Sequence, residues 1–197
     1  MPIDSPGARR RRASGTSLGQ LGMILVLVSI SVLFVAASIA VLITNYQAHT
    51  WRAPERTGLP WGTAASTLVL VVVSWQLQAA LDAIRQNRFT DCLRSWRRGA
   101  AGALVFLFVQ ALNARHLATL EGARASQALF VFCYDLLVGL HAAHVIGGFV
   151  PLALVHAKLT RRDYSSSRHD GVTFCVQYWH YLGIVWLLLL GILAWVG

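Results

Sequence analysis

FVFCYDLLVGLHAAHVIGGFVPLALVH, residues 130–156, is long and apolar enough to cross a bilayer, yet its middle contains an aspartate and two closely spaced histidines. Ionisable side chains are costly in lipid, so within a membrane span they mark the sides of a helix that have protein neighbours. Gly139, Ala143 and Gly147 follow one another at four-residue spacing, and Asp135 extends this stripe by one turn. The stripe predicts a surface along which another helix approaches closely.

His141 and His144 lie next to each other on a different face of this helix, because residues three apart are neighbours. Helical geometry places them roughly 120° to 180° away from Asp135, so the aspartate cannot pair with either histidine within its own helix. The helix is therefore predicted to need partners on at least two sides.

Hydrophobic residues make up 56% and charged residues 13% of the chain, whereas soluble domains carry about 25% charged residues. We predict an all-α fold, an integral membrane five-helix transmembrane bundle in residues 18–197, behind a disordered basic cytoplasmic tail in residues 1–17. The first apolar run is much longer than a signal-peptide core, so it is predicted to be a true span. The predicted spans are 18–45, 61–84, 99–120, 128–158 and 172–196.

The net charge of +9 is concentrated on one side of the predicted bundle. With the amino terminus in the cytoplasm, the inside segments hold thirteen of the Lys and Arg residues and the outside loops hold four. This bias predicts a multi-pass protein with a cytoplasmic amino terminus and a carboxyl terminus outside. The same residues suit anionic headgroups of membrane lipids, so the charge does not require a nucleic-acid partner, and none is predicted.

Two further spans contain polar stripes. The second carries polar residues at four-residue spacing and ends near Arg85, which is placed to pair with Asp82. We interpret this stripe as a helix end anchored at the headgroups rather than as a proton or ion entry. In the third span, Gln110 and Asn113 are predicted to hydrogen-bond across to a neighbouring helix. The stripe in the second span consists of Ser74, Gln78 and Asp82.

The fifth span places Gln177, His180 and Tyr181 on one face, beside Trp179 and Trp186. A buried histidine in a membrane bundle bonds a neighbouring side chain more often than it binds a metal, so no metal or other cofactor site is predicted in this chain. The three cysteines form no CxxC pair and are predicted to be reduced structural thiols.

Two motifs resemble subunit III of the haem-copper oxidases, the cytochrome c oxidase subunit III-like family. The fourth span contains GLHAAHVIGG at residues 139–148, which matches the family pattern Gly-x-His-x-x-His-Val followed by glycines. The fifth span follows HDG at residues 169–171 and contains YWHYLGIVW at residues 178–186, which matches the family's Tyr-Trp-His motif and the Val-Trp after it. The five spans also match the short bacterial form of the family.

The resemblance implies an accessory subunit of a bacterial inner membrane oxidase, with haem and copper in partner subunits I and II and none in this chain. Subunit III in this family packs on subunit I, holds structural lipids in a cleft, and supports the stability and proton uptake of the catalytic subunit. The family motif residues of this chain are assigned to helix packing: Gly139, His141, His144, Gly147, Trp179, His180 and Trp186.

The chain departs from the family pattern at its carboxylates. Where the family commonly has acidic residues, this sequence has Ile30, Asn113, Thr173 and Gly183. Conversely, Asp135 stands where the family usually has an apolar or aromatic residue. We interpret Asp135 as a contact with this protein's own partner.

Two other functions are also compatible with the sequence. The first is the homologous five-span protein associated with nitric oxide reductases, which also carries the Tyr-Trp-His motif and whose partners would be nitric oxide reductase subunits. The second is a membrane electron carrier in which His141 or His144 clamps a b-type haem together with His180.

Overall fold

Five α-helices make up nearly all of the chain that the structure, a computed structural model, describes, namely residues 18–47, 61–121 and 128–196. The predicted basic tail in residues 1–17 lies outside this part of the chain. The helices are α1 (Leu18–Gln47), α2 (Trp61–Arg85), α3 (Phe89–Glu121), α4 (Ala128–Thr160) and α5 (Asp170–Val196).

The helical membrane bundle expected from the sequence is confirmed, since α1, α2, α4 and α5 are long and apolar enough to cross a membrane. α3 does not belong to this group, because its first turns are rich in arginine and its second half carries Gln110 and Asn113. It also begins ten residues before the predicted start at residue 99. The additional turns are amphipathic and bury Cys92 and Trp96, which lie four residues apart.

Helices α2, α3, α4 and α5 form a ring in which each helix packs against the next, and α5 closes the ring against α2. The closest pairing is between α2 and α3. α1 lies outside the ring and packs against α4 and α5. Its contact surface is narrow because only Ile30, Phe34 and Val41 are buried, and these follow a helical spacing along one side.

Two tight turns lie at the same end of the bundle, one in the connection from α2 to α3 and one in the connection from α4 to α5. Asn87 and Arg162 adopt left-handed φ angles of 58° and 60° just after α2 and α4. In the first turn the amide of Arg88 donates to the carbonyl of Ala83 at 2.8 Å, the pattern of a Schellman cap. The Arg162 guanidinium lies 5.3 Å from the ring centroid of Phe89, which ties the two turns together. We call this end the basic side.

Gly102 determines how closely α3 approaches α2. A Cβ atom at Gly102 would lie 2.7 Å from Cγ2 of Val73, whose β-branched side chain is stiff. Gly191 on α5 has no atom within 4 Å of such a Cβ.

We therefore expect Gly102→Leu to lower the free energy of unfolding by about 1 to 3 kcal/mol through overpacking. Gly191→Leu is the matched control and should leave stability unchanged. Thermal unfolding of both variants in mild detergent measures the difference, and equal midpoints would show that the α2–α3 approach tolerates added volume.

Cys92 lies in the part of α3 near the basic side and has no exposed surface. Burial raises the pKa of its thiol to about 11. The reactive species is the thiolate, which therefore forms only as the pH rises toward that value.

At pH 8 we expect Cys92 to react with maleimide on the order of a hundredfold more slowly than an exposed cysteine introduced as Ser167→Cys. Unfolding the chain in detergent should abolish the difference. Labelling followed by peptide mass spectrometry provides the rates, and rapid labelling of Cys92 in the folded chain would contradict its burial.

Candidate functional site

His141 lies at the centre of the bundle and is 1% exposed. Its ring is surrounded by aromatic rings from three other helices, with centroid distances of 6.2 Å to Phe34, 5.9 Å to Phe106 and 5.1 Å to Trp186. Neither ring nitrogen has a hydrogen-bond partner among the described residues. The rings of His141 and Phe106 are nearly perpendicular, which is a favourable packing arrangement for aromatic rings. This histidine is held by packing.

His144 faces α1 and α5. Its Nδ1 donates to the carbonyl of Leu140 at 2.8 Å, within its own helix, and its ring centroid lies 5.1 Å from that of Phe34. The backbone carbonyl of His144 accepts a 2.8 Å hydrogen bond from the Tyr178 hydroxyl on α5. His144 therefore joins α4 to both neighbours through its ring on one side and its backbone on the other.

Trp179 packs into the space left by Gly148. A Cβ at Gly148 would lie 2.9 Å from Tyr178 and 3.2 Å from Trp179, so a larger residue would push α5 away from α4. The indole of Trp179 also meets the ring of Phe149 edge to face at 5.8 Å. Gly148, the last glycine of the GLHAAHVIGG motif, is thus required for the α4–α5 contact.

His180 uses both ring nitrogens on α2. Ser74 Oγ donates to Nδ1, and Nε2 donates to Oε1 of Gln78 at 3.1 Å. The amide nitrogen of Gln78 then donates to Asp82 at 3.1 Å, and Asp82 lies 3.6 Å from Arg85. These bonds are consistent with a His180 ring that carries its proton on Nε2, because the hydroxyl of Ser74 can donate to Nδ1 and Oε1 of Gln78 can only accept.

This polar ladder combines predictions from two different spans. The pairing of Asp82 with Arg85 is confirmed. The hydrogen bonds of His180 with Ser74 and Gln78 were not predicted. The sequence did indicate a polar face on each helix, through the four-residue spacing of the α2 stripe and the three-residue spacing of Gln177 and His180. The polar faces of α2 and α5 meet because these two helices are neighbours in the ring, and the order of the helices in the ring cannot be predicted from the spacing within one helix.

Two more side chains of α5 bond neighbouring helices. The indole Nε1 of Trp186 donates to Oγ1 of Thr67 on α2 at 2.9 Å. The hydroxyls of Tyr181 and Ser31 lie 2.7 Å apart and join α5 to α1. α5 thus forms side-chain hydrogen bonds with α1, α2 and α4.

Gln110 and Asn113 differ from their prediction. The amide of Asn113 donates to Oε1 of Gln110 at 3.1 Å within α3, so this bond does not cross to a neighbouring helix. Asn113 still contacts α2, because its side chain occupies the space where a Cβ at Gly62 would stand. A glutamine and an asparagine one turn apart can bond each other within one helix. Nε2 of Gln110 stays buried without a hydrogen-bond partner among the described residues.

The predicted small-residue stripe faces outward. Asp135, Gly139, Ala143 and Gly147 are all exposed, and a Cβ placed at Gly139 or Gly147 would meet nothing within 4 Å. Asp135 forms no hydrogen bond or salt bridge with any residue that the structure describes. The close helix approach predicted along this stripe is therefore not made by another helix among the described residues.

The haem hypothesis needs His180 and one histidine of α4 to face each other with a free ring nitrogen each. His180 has both ring nitrogens bonded to α2, whereas His141 is enclosed by aromatic rings and His144 turns toward Phe34. The structure does not bring His180 together with either α4 histidine as a pair of ligands. Across the described ranges, no group of three or more His, Cys, Asp or Glu side chains has the arrangement of a metal site.

An apolar groove of about 490 Å³ lies between α1, α4 and α5 near the basic side. Met23 and Val26 of α1 and Phe174 of α5 are among the apolar residues that line it. Lys158 and Tyr164 supply its polar groups. The shape and polarity suit an acyl chain with an anionic headgroup at the basic side.

The fold and the site define an all-α membrane protein whose unusual polar and aromatic side chains join its helices to one another. The chain belongs to the cytochrome c oxidase subunit III family, because the profile of that family matches residues 13–197. The resemblance inferred from the motifs of α4 and α5 is thereby confirmed.

Individual relatives agree with this assignment. The chain is 28% identical over 194 residues to the cytochrome c oxidase subunit 3 of Synechocystis sp., an alignment that covers 94% of this chain and 78% of the relative. It is 26% identical over 175 residues to that of Thermostichus vulcanus, covering 88% and 85%. A probable cytochrome c oxidase subunit 3 from Rickettsia felis is 26% identical over 126 residues, covering 63% and 44%.

His141 has no hydrogen-bond partner among the described residues, whereas His180 has two, so the two histidines should contribute differently to stability. We expect His180→Phe to lower the free energy of unfolding by about 1 to 2 kcal/mol, because it removes two interhelical bonds and leaves Oε1 of Gln78 without its donor. His141→Phe should leave stability within about 0.5 kcal/mol or raise it, because an aromatic ring replaces a buried polar group that lacks partners.

Thermal unfolding of the purified chain in one detergent compares the two variants directly. A large loss for His141→Phe would show that a group outside the described residues bonds the His141 ring.

Proposed function

We propose that this chain is an accessory, cofactor-free membrane subunit of a haem-copper terminal oxidase, which packs on subunit I and supports its stability and proton uptake in aerobic respiration. The match to the subunit III family over residues 13–197 carries the proposal. The use of the histidines supports it, because the ring of His141 packs against Trp186 and the ring of His180 bonds Gln78, as expected of side chains that join helices.

The proposal includes five membrane spans, with α3 as the fifth. α3 runs antiparallel to α2, because Asn113 meets Gly62 at one end of α2 and Gly99 lies against Leu77 toward the other. A helix paired in this way with a membrane span crosses the same thickness. The excess of Lys and Arg on the basic side supports a cytoplasmic location for that side, in a bacterial inner membrane.

The contribution to proton uptake would use other residues than the family's carboxylates. Two of the four departures have packing roles here, since Ile30 is buried in the contact surface of α1 and Asn113 bonds Gln110. The polar ladder instead runs from His180 to Asp82, whose carboxylate is partly exposed at the basic side. In this proposal the stripe of the second span, which the sequence alone led us to interpret as a headgroup anchor, also provides a hydrogen-bonded path from the bundle interior to that surface.

Membrane lipids are the second class of partner in this proposal. The groove between α1, α4 and α5 is apolar along its walls and carries Lys158 near the basic side. One phospholipid chain held there would fill space that the narrow contact surface of α1 leaves open. The lysine would meet the headgroup phosphate.

Affinity purification tests the proposal. We expect a carboxyl-terminal tag on this chain, extracted from native membranes in mild detergent, to recover oxidase subunits I and II in amounts equal to the tagged chain. The isolated chain should be colourless, because haem and copper belong to the partner subunits.

The other outcomes separate the alternatives. Recovery of nitric oxide reductase subunits in place of oxidase subunits would move the chain to that complex. A Soret band and a sharp reduced α band in the chain purified by itself would identify a haem carrier and overturn the proposal.

A further inference from the structure

One face of α4 has no partner within the described part of the chain. Its exposed residues follow the helical repeat from Phe132 to Leu154, about 33 Å along the axis, which is close to the full thickness of the hydrocarbon. The middle of the face is low, because Gly139, Ala143 and Gly147 are small. Larger apolar residues flank it: Phe132, Leu136, Ile146, Val150 and Leu154.

The glycines of α4 divide into two kinds. Gly148 is filled by the chain itself, since Tyr178 and Trp179 lie within 3.2 Å of a Cβ built there. Gly139 and Gly147 have nothing within 4 Å, so the packing of this chain does not account for them. The small residues therefore leave a shallow groove along the middle of the face, on the outside of the bundle.

Asp135 provides a separate observation on the same face. It is exposed one turn before Gly139, and it forms no hydrogen bond or salt bridge with a described residue. A carboxylate on the outside of a membrane-spanning helix is stabilised when a cationic side chain faces it. The face therefore carries an acidic side chain that no described residue pairs.

We propose that this face, from Asp135 to Gly147, docks against a membrane-spanning helix of another subunit, and that this helix carries a lysine or arginine within one turn of the depth of Asp135. This inference rests on the proposed function and names the contact through which the chain joins its complex. The small residues let the two backbones approach closely, and the charge pair fixes the register.

A second copy of this chain fits the face poorly. A parallel pair of copies, related by a twofold axis along the stripe, would bring two Asp135 carboxylates together. Like charges at short distance in a medium of low dielectric repel strongly. Charge complementarity therefore favours a different chain as the occupant.

The test measures the recovery of partner subunits with tagged variants of the full chain from native membranes. We expect Ala143→Leu to reduce recovery about tenfold and Asp135→Asn about threefold, relative to equal amounts of folded chain. Asp135→Glu should restore most of the recovery, because it keeps the charge. Val105→Leu, which adds a methylene to an exposed position of α3, is the matched control and should stay within about twofold of the parent chain.

A single cysteine at the edge of the face identifies the occupant. Ile146 is 59% exposed, whereas the natural cysteines are buried, so Ile146→Cys directs a cross-linker to this face. We expect a cross-link to a membrane span of another subunit that carries a basic residue near the depth of Asp135. Cross-linking to a second copy, or to no protein, would overturn the inference.

The two proposals fail in different ways. If the parent chain recovers oxidase subunits and the Ala143→Leu and Asp135→Asn variants recover them equally well, the docking face is wrong while the function stands. If Ile146→Cys links to a basic span of a protein unrelated to oxidases, the function is wrong while the docking face stands. The thermal midpoint of each variant, measured in parallel, separates lost docking from lost folding.

Discussion

A polar side chain inside a membrane bundle has to find its hydrogen-bond partners within the protein, because lipid offers none. His180 meets this constraint with both ring nitrogens on α2, and the same principle places Trp186 against Thr67 and Tyr181 against Ser31. Each of these bonds needs a particular rotation and depth of α5 relative to its neighbours. The motif around residues 178–186 therefore acts as the set of contacts that orders the helices.

The α4 motif works by a different kind of interaction. His141 packs against three aromatic side chains from three helices. One of them, Phe34, belongs to α1, and the other two belong to helices α3 and α5 of the four-helix ring. α1 has few other buried residues, so the contact of Phe34 with the two histidines is a main point at which it attaches. Together, the two motifs explain how a peripheral helix and a closed ring form one unit.

Neighbouring glycines on α4 show how one residue type serves two surfaces. Gly148 admits α5, whereas Gly147 lies on the exposed face with Gly139 and Asp135. Consecutive residues of a helix point about 100° apart, so a pair of glycines can serve two different neighbours. A subunit that must fold by itself and then join a larger assembly needs both kinds of surface.

Composition, hydropathy and spacing determined the helical membrane fold, most of the helix bounds and the pairing of Asp82 with Arg85, because these depend on properties that act along one helix. The two motifs also identified the family. The tertiary structure decided which faces meet: that His180 bonds Ser74 and Gln78, that Asn113 bonds Gln110, and that the Gly139 stripe points outward. A single helix pattern shows that a face needs a partner, but the partner follows from the order of the helices around the bundle, which no local spacing specifies.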